Sequence, residues 1–137
     1  VGNGDNRRSM VYTENLVQGL VLAATKDNTS GKLFWIADEK PYKMNEIINT
    51  IEKLLKDEFG QKCDLGRISL PNFISTIAEK IDSFIQLFGF YHPKIHVLSE
   101  MNKNIACSIE LAKRDLGYSP EFSIEEGMRK SLSEIYK

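Results

Sequence analysis

Apolar residues recur along most of this chain at spacings of three and four, interrupted by short stretches where they stand side by side. The two patterns predict helices joined by brief strands. After a turn-forming cluster, Gly2 to Asn6, residues Met10, Val11 and Tyr12 predict a short strand over 9–13. Leu16, Val17, Leu20, Val21 and Ala24 then form the apolar face of a helix that Thr13 or Asn15 is placed to cap. The continuous run Leu33 to Ala37 predicts a strand covered on both faces. A second helix follows the Asp38 to Pro41 turn. Its face is Met44, Ile47, Ile48, Ile51, Leu54 and Leu55, with Lys43 or Asn45 near its start and Gly60 beyond its end.

The second half is looser. Ile68 and Leu70 suggest a strand ending at Pro71, and 73–90 is the most apolar helical stretch, with Phe73, Ile74, Ile77, Ile81, Phe84, Ile85 and Phe88 on one broad face. Residues 104–107 predict a short strand, Ser108 a cap for a helix over 109–116, and Gly117 its left-handed terminator. Ser123 and Glu126 have the spacing of a capping box, ahead of a last helix with Ile124, Met128, Leu132 and Ile135 on one side. The fold class is therefore mixed α/β, helix-dominated with short strands, and the 137 residues suit one domain, 1–137.

Composition narrows the partners. With 42% apolar and 27% charged residues and a net charge of −1, the chain has neither the basic footprint of a nucleic-acid binder nor that of a protein attracted to anionic membranes. No nucleic-acid or membrane partner is expected, and a cytoplasmic location is. Cys63 and Cys107 are far apart and lack metal-ligand spacing, which predicts two partly buried thiols. His92 and His96 are four apart, but Pro93 between them argues against the helix that would aim both at one metal, so no metal site is expected. Gly31-Lys32 has no preceding glycine to make a phosphate cradle.

The passages RRSMVYTENLVQGLVLAA, GKLFWIADEKPYKMNEIINTIEKLL, ISLP and SIELAKRDLGYSPEFSIEEGMRKSL, in that order, carry a resemblance across nearly the whole chain. They resemble the C-terminal, substrate-binding region of an extended short-chain dehydrogenase/reductase of the NAD-dependent epimerase/dehydratase family. The resemblance implies a small α/β substrate-binding domain lacking the Rossmann half, and a fragment of a longer enzyme. Two marks of that family's cofactor half are missing. Gly2 and Gly4 have Arg7 where a third glycine would stand, and the turn precedes a strand where a dinucleotide cradle would follow one. No tyrosine has lysine four residues on: Tyr12 is followed by Leu16, Tyr42 by Glu46, Tyr91 by Ile95 and Tyr118 by Phe122.

The resemblance therefore implies substrate recognition without turnover. No catalytic residue and no cofactor belong to this chain, NAD or NADP is expected for the full-length parent, and the missing Rossmann half is a partner. By the same resemblance Arg8 is the residue that contacts a substrate diphosphate, with Arg7 beside it. A guanidinium offers a planar fork of donors to phosphate oxygens. Asn15 aligns with a polar position at the helix start, where bracing competes with ligand contact. Sugar-nucleotide members carry a second arginine shortly before the last short strand; here the neighbourhood 99–104 lacks it, and Lys103 is either a replacement charge without the bidentate geometry or an exposed lysine. A nucleoside-diphosphate sugar is the first substrate class implied. An apolar alcohol, as in the 3β-hydroxysteroid dehydrogenase branch, is the second, and a stand-alone protein-interaction module is the rival from another class. Cutting such an enzyme would uncover strand edges and helix faces, so a homodimer of the fragment is expected.

Overall fold

The computed structural model describes residues 3–63, 71–93, 96–97 and 103–136. Its elements, in chain order, are β1 (Arg7–Arg8), α1 (Thr13–Thr25), β2 (Tyr42–Lys43), α2 (Met44–Asp57), α3 (Asn72–Leu87), α4 (Glu110–Leu116) and α5 (Ile124–Ile135). β1 and β2 pair antiparallel, Arg7 opposite Lys43 and Arg8 opposite Tyr42. Ile105 flanks the other edge of β1 through a parallel bridge to Arg8. The helix-dominated α/β reading stands, and the expected strand over 64–70 lies outside the described residues.

The helices with self-contained signals form where the sequence puts them. α2 begins after Lys43, whose N–H donates to the Glu46 carboxylate at 3.4 Å, and buries Ile47 and Leu54. Ser123 caps α5: the Glu126 carboxylate accepts the Ser123 N–H at 2.8 Å, while Ser123 Oγ accepts the Glu126 N–H at 3.4 Å. α4 ends at Gly117, whose φ of 70° is the left-handed conformation that glycine adopts cheaply. Ser108 sits one residue ahead of the actual N-cap, Ile109, and its Oγ accepts the Glu110 N–H at 3.3 Å.

Three expectations change. Residues 9–12 are extended but form no ladder, because their bonds go to two different neighbours: Ser9 N–H to Ile105 C=O (2.9 Å) and Met10 C=O from Asp38 N–H (2.8 Å). α1 starts after Tyr12 with no side-chain cap, so neither Thr13 nor Asn15 serves as one. The run 33–37 is likewise extended without a ladder. Phe34 and Ile36 are half-buried and Ala37, at the end of the run, is buried, while Leu33 (71%) and Trp35 (58%) are exposed. One face is covered, not two.

The core has two parts. Ala37, Ile109, Ala112, Leu116 and Tyr118 are buried together, with Leu22 and Ala23 of α1 packed against them. Tyr42, Ile47 and Ile124 form the second, beneath α2 and α5. α1 enters the first core by the face carrying Asn15, Gly19, Leu22 and Ala23. Its more apolar face, Leu16 (36%), Val17 (51%), Leu20 (58%) and Val21 (55%), is turned outward, contrary to expectation. Gly19 permits this approach, since a Cβ there would meet Ile36 Cγ2 at 2.7 Å.

Tyr118 joins the extended 33–37 segment to α4. Its ring is 1% exposed and its hydroxyl donates to Ala37 C=O at 2.9 Å; burial pushes the phenol up to about 12. Tyr118→Phe keeps the ring and leaves that carbonyl without the bond. A loss of about 1 to 3 kcal/mol in stability is expected from urea denaturation, and an unchanged midpoint would remove the bond from the fold's supports.

Candidate functional site

β1 is the narrow platform on which the candidate residues gather. The backbone that places it is held from both sides: Arg7 N–H donates to Asn104 Oδ1 (2.7 Å), Arg7 C=O accepts from Ile105 N–H (2.9 Å), and β2 lies on the other edge. Successive strand residues point to opposite faces, and here Arg7 is exposed while Arg8 is half-buried. The two side chains therefore leave the strand on opposite faces. Lys103 comes to the same neighbourhood through its backbone, since its carbonyl accepts from Asn6 Nδ2 at 3.5 Å. Its amine pairs with Glu79 of α3 at 3.0 Å.

Asn15 lies apart from these cations and is 1% exposed. Its Oδ1 accepts the N–H groups of Glu121 (3.0 Å) and Phe122 (3.1 Å); its Nδ2 donates to Phe122 C=O (2.8 Å) and Asp38 Oδ1 (3.0 Å). Both donors and both acceptor sites of the carboxamide are thus engaged inside the chain, which is the geometry of a brace. The structure puts Arg7 and Arg8 side by side on β1 with the Lys103 backbone near them, while Asn15 braces the Asp38 side chain and the 121–122 backbone elsewhere.

Two concavities adjoin this region. An open groove of about 580 Å³ runs between the extended segments 9–11, 35–37 and 105–108, with Trp35, Ile36 and Ile105 among its walls. A smaller cavity of about 110 Å³ is lined by Met10, Tyr12, Thr13, Asp38, Met128 and Ser131. Asp38 is 4% exposed and its Oδ2 is buried without a hydrogen bond. Burial raises its carboxyl above the ordinary range, while the bond from Asn15 and the nearby Tyr42 hydroxyl pull the other way.

Sequence reading missed one pair. Asp82 of α3 is 5% exposed, accepts from Gln86 Nε2 at 2.8 Å and lies 2.8 Å from His96 Nδ1. His96 N–H donates to His92 C=O at 3.1 Å and Pro93 itself is helical, at a helix start where proline is well tolerated, so Pro93 does not exclude helix there. Nothing in the spacing of residues 82 and 96 could have shown their contact. Among the described residues, no group of three His, Cys, Asp or Glu side chains could hold a metal ion, and no helix is long and apolar enough to cross a membrane. Cys63 and Cys107 are free and half-buried.

No protein-family model matches the chain. It is 48% identical over 132 residues to the uncharacterized protein y4nL of Sinorhizobium fredii, with 96% of this chain and 37% of that protein covered. It is 31% identical over 141 residues to a 2-alkyl-3-oxoalkanoate reductase of Stenotrophomonas maltophilia, covering 95% of this chain and 40% of that protein. A 3 beta-hydroxysteroid dehydrogenase/Delta 5-->4-isomerase of Mycobacterium tuberculosis is 29% identical over 140 residues, covering 96% and 36%. Among solved structures, UDP-glucuronic acid 4-epimerase from Bacillus cereus in complex with NAD matches with a TM-score of 0.59 at 18% identity, over 99% of this chain and 34% of that one. At that identity the likeness shows the fold. Apart from y4nL, the matches are to the C-terminal part of dehydrogenase and epimerase enzymes, and the chain spans 36 to 40% of the length of these curated relatives.

Two measurements test the supports of this region. Asp38 keeps its proton to higher pH in the folded state than in the unfolded one. Stability is therefore expected to fall as pH rises from the ordinary carboxylate range through the raised value. Asp38→Asn retains an acceptor for Asn15 without a charge and should flatten that slope, with an equal or higher Tm at neutral pH. Superimposable Tm-against-pH curves for the two proteins would contradict this. Asn15→Ala leaves several buried groups without partners and should cost about 2 to 5 kcal/mol in denaturant titration; a loss below about 1 kcal/mol would show the brace to be dispensable.

Proposed function

We propose that this chain is the substrate-recognition region of a larger NAD(P)-dependent dehydrogenase or epimerase, whose nucleotide-binding half supplies cofactor and proton-transfer groups. The observation that carries this reading is the uncovered apolar surface. The outer face of α1, together with Leu33 and Trp35, stands in water beside an extended segment with no ladder partner. Burying each such large side chain is worth about 1.5 to 3 kcal/mol, so a second body of sheet and helix fits this side of the chain. The relatives' greater length supports the same reading.

The side carrying Arg8 is then the side that meets substrate. Of the two substrate classes, a hydroxy or keto compound on an apolar framework is the better supported. A diphosphate clamp needs cations that converge, whereas Arg7 and Arg8 leave β1 on opposite faces and Lys103 is paired with Glu79. The names of two relatives, a 2-alkyl-3-oxoalkanoate reductase and a 3 beta-hydroxysteroid dehydrogenase, point the same way. A nucleoside-diphosphate sugar is the second reading, carried by the half-buried Arg8 at the edge of the groove region.

One kinetic comparison separates them. The full-length enzyme, offered NAD and NADP with 3-hydroxysteroids, β-hydroxy or β-keto acids with alkyl chains, and UDP-sugars, is expected to turn over the apolar class. Arg8→Ala should then leave KM for it within about threefold. Turnover of UDP-sugars, with Arg8→Ala weakening kcat/KM by about 1.5 to 3 kcal/mol, would establish the second reading instead. NAD binding by the 137-residue chain alone, measured by calorimetry, would overturn both.

A further inference from the structure

α3 presents two faces. The inward one buries Ala78 (9%) and Asp82 (5%), and Asp82 is held there by Gln86 and His96. The other carries Ile74, Ile77, Ile81, Phe84 and Phe88, separated alternately by three and four residues, which is the spacing of a helix-pairing seam. Ile77 (51%), Ile81 (45%), Phe84 (63%) and Phe88 (62%) on this seam are exposed. Phe84 and Phe88 already pack edge to face, with ring centroids 5.0 Å apart. No other described helix or strand packs extensively against α3.

We infer that this seam is a contact surface between two copies of the chain, α3 lying against α3 of the second copy. Three physical arguments select that occupant. The first is area: Ile77, Ile81, Phe84 and Phe88 of the seam, with their neighbours Phe73, Leu87 and Phe90, are 45 to 80% exposed, while Ile74 is half-buried. At about 150 to 250 Å² per aromatic side chain, and somewhat less per aliphatic one, this leaves on the order of 800 Å² of apolar surface, one partner's share of a standard interface. The second is shape: at about 1.5 Å per residue the stripe from Phe73 to Phe88 runs roughly 22 Å, more than one small ligand covers. A straight helical seam is also complementary to itself, so a two-fold contact closes.

The third argument is charge. An interfacial helix on anionic lipid is rich in Lys and Arg on its polar side, whereas α3 carries Glu79 and Asp82 against the single Lys80. The inference is independent of the substrate reading, which assigns a different surface, that of α1 and Trp35, to the nucleotide-binding half.

Sedimentation velocity decides it, on the 137-residue chain and on the full-length polypeptide, with far-UV circular dichroism as the check on folding. The unmodified protein and Leu20→Glu, which alters the α1 face, are expected to sediment as dimers at micromolar concentration. Ile81→Glu and Phe84→Glu should give monomers of unchanged helicity, and the milder Phe84→Ser a dimer that dissociates at higher concentration than the unmodified protein. The inference is overturned by a monomer throughout, by dimers that survive both Glu substitutions, or by dissociation with Leu20→Glu alone. It is also overturned if the seam substitutions separate the short chain but not the full-length polypeptide, since the rest of that polypeptide would then cover α3. Co-sedimentation of a monomeric protein with phosphatidylserine vesicles, lost in Ile81→Glu, would replace the second copy with a lipid surface.

Discussion

The carboxamide of Asn15 is the constraint on which the arrangement of helices depends. It lies on the first turn of α1 and reaches Asp38, at the end of the extended 33–37 segment, and the backbone of residues 121 and 122, just before the Ser123 cap of α5. One side chain thereby sets the positions of three parts distant in sequence. Glutamine would be a methylene too long, and aspartate would lose both donors and face Asp38 as a like charge. Around this brace the other contacts need only be ordinary. Lys130 of α5 reaches Glu14 at 3.1 Å and stacks over Phe122 at 3.8 Å from the ring centroid. Arg129 joins Glu125 and Glu58. These are surface pairs, weakened by solvent screening. They tune an orientation that the buried amide and the two small cores have already chosen.

Holding α1 by its polar and small-residue face has a consequence for what the chain shows to solvent. With Asn15 and Gly19 turned inward, Leu16, Val17, Leu20 and Val21 must turn outward, since a helix cannot bury both sides against one layer. The 33–37 segment lies on Gly19 and against the α4 core, and its Leu33 and Trp35 remain exposed. Architecture at this end is thus that of half a sandwich: a packed inner layer and an apolar outer one. β1 carries the two arginines between β2 and Ile105, and its backbone bonds to both.

Elements governed by neighbours in sequence could be read without a structure. α2 follows from its three-and-four spacing, α5 from the Ser123 and Glu126 reciprocity, and the end of α4 from Gly117, because capping and helical periodicity act over a few residues. The long apolar stretch from Phe73 was likewise legible as a helix, α3. The arginine neighbourhood at positions 7 and 8 was legible as residues but not as geometry, since the alternation that separates the two side chains appears only once β1 is known to be a strand.

Tertiary structure alone decided the rest. The run Leu33 to Ala37 has the composition of a doubly covered strand, yet coverage depends on bodies elsewhere, and here one face remains open. Asn15 read as a capping candidate, yet its partners lie 23 to 107 positions away, a distance that no local pattern encodes. Asp82 and His96 meet across 14 residues with no shared period. Hydrophobicity along a chain states that a surface must leave water; it does not state whether the cover is another part of the same layer, a further domain or a second copy. By itself the sequence determined the helices and their ends, because those energies are local. Which apolar faces became core was settled only by the three-dimensional placement of one buried amide and two close-approach glycines, Gly19 and Gly127, where any Cβ would collide with the segment packed upon it.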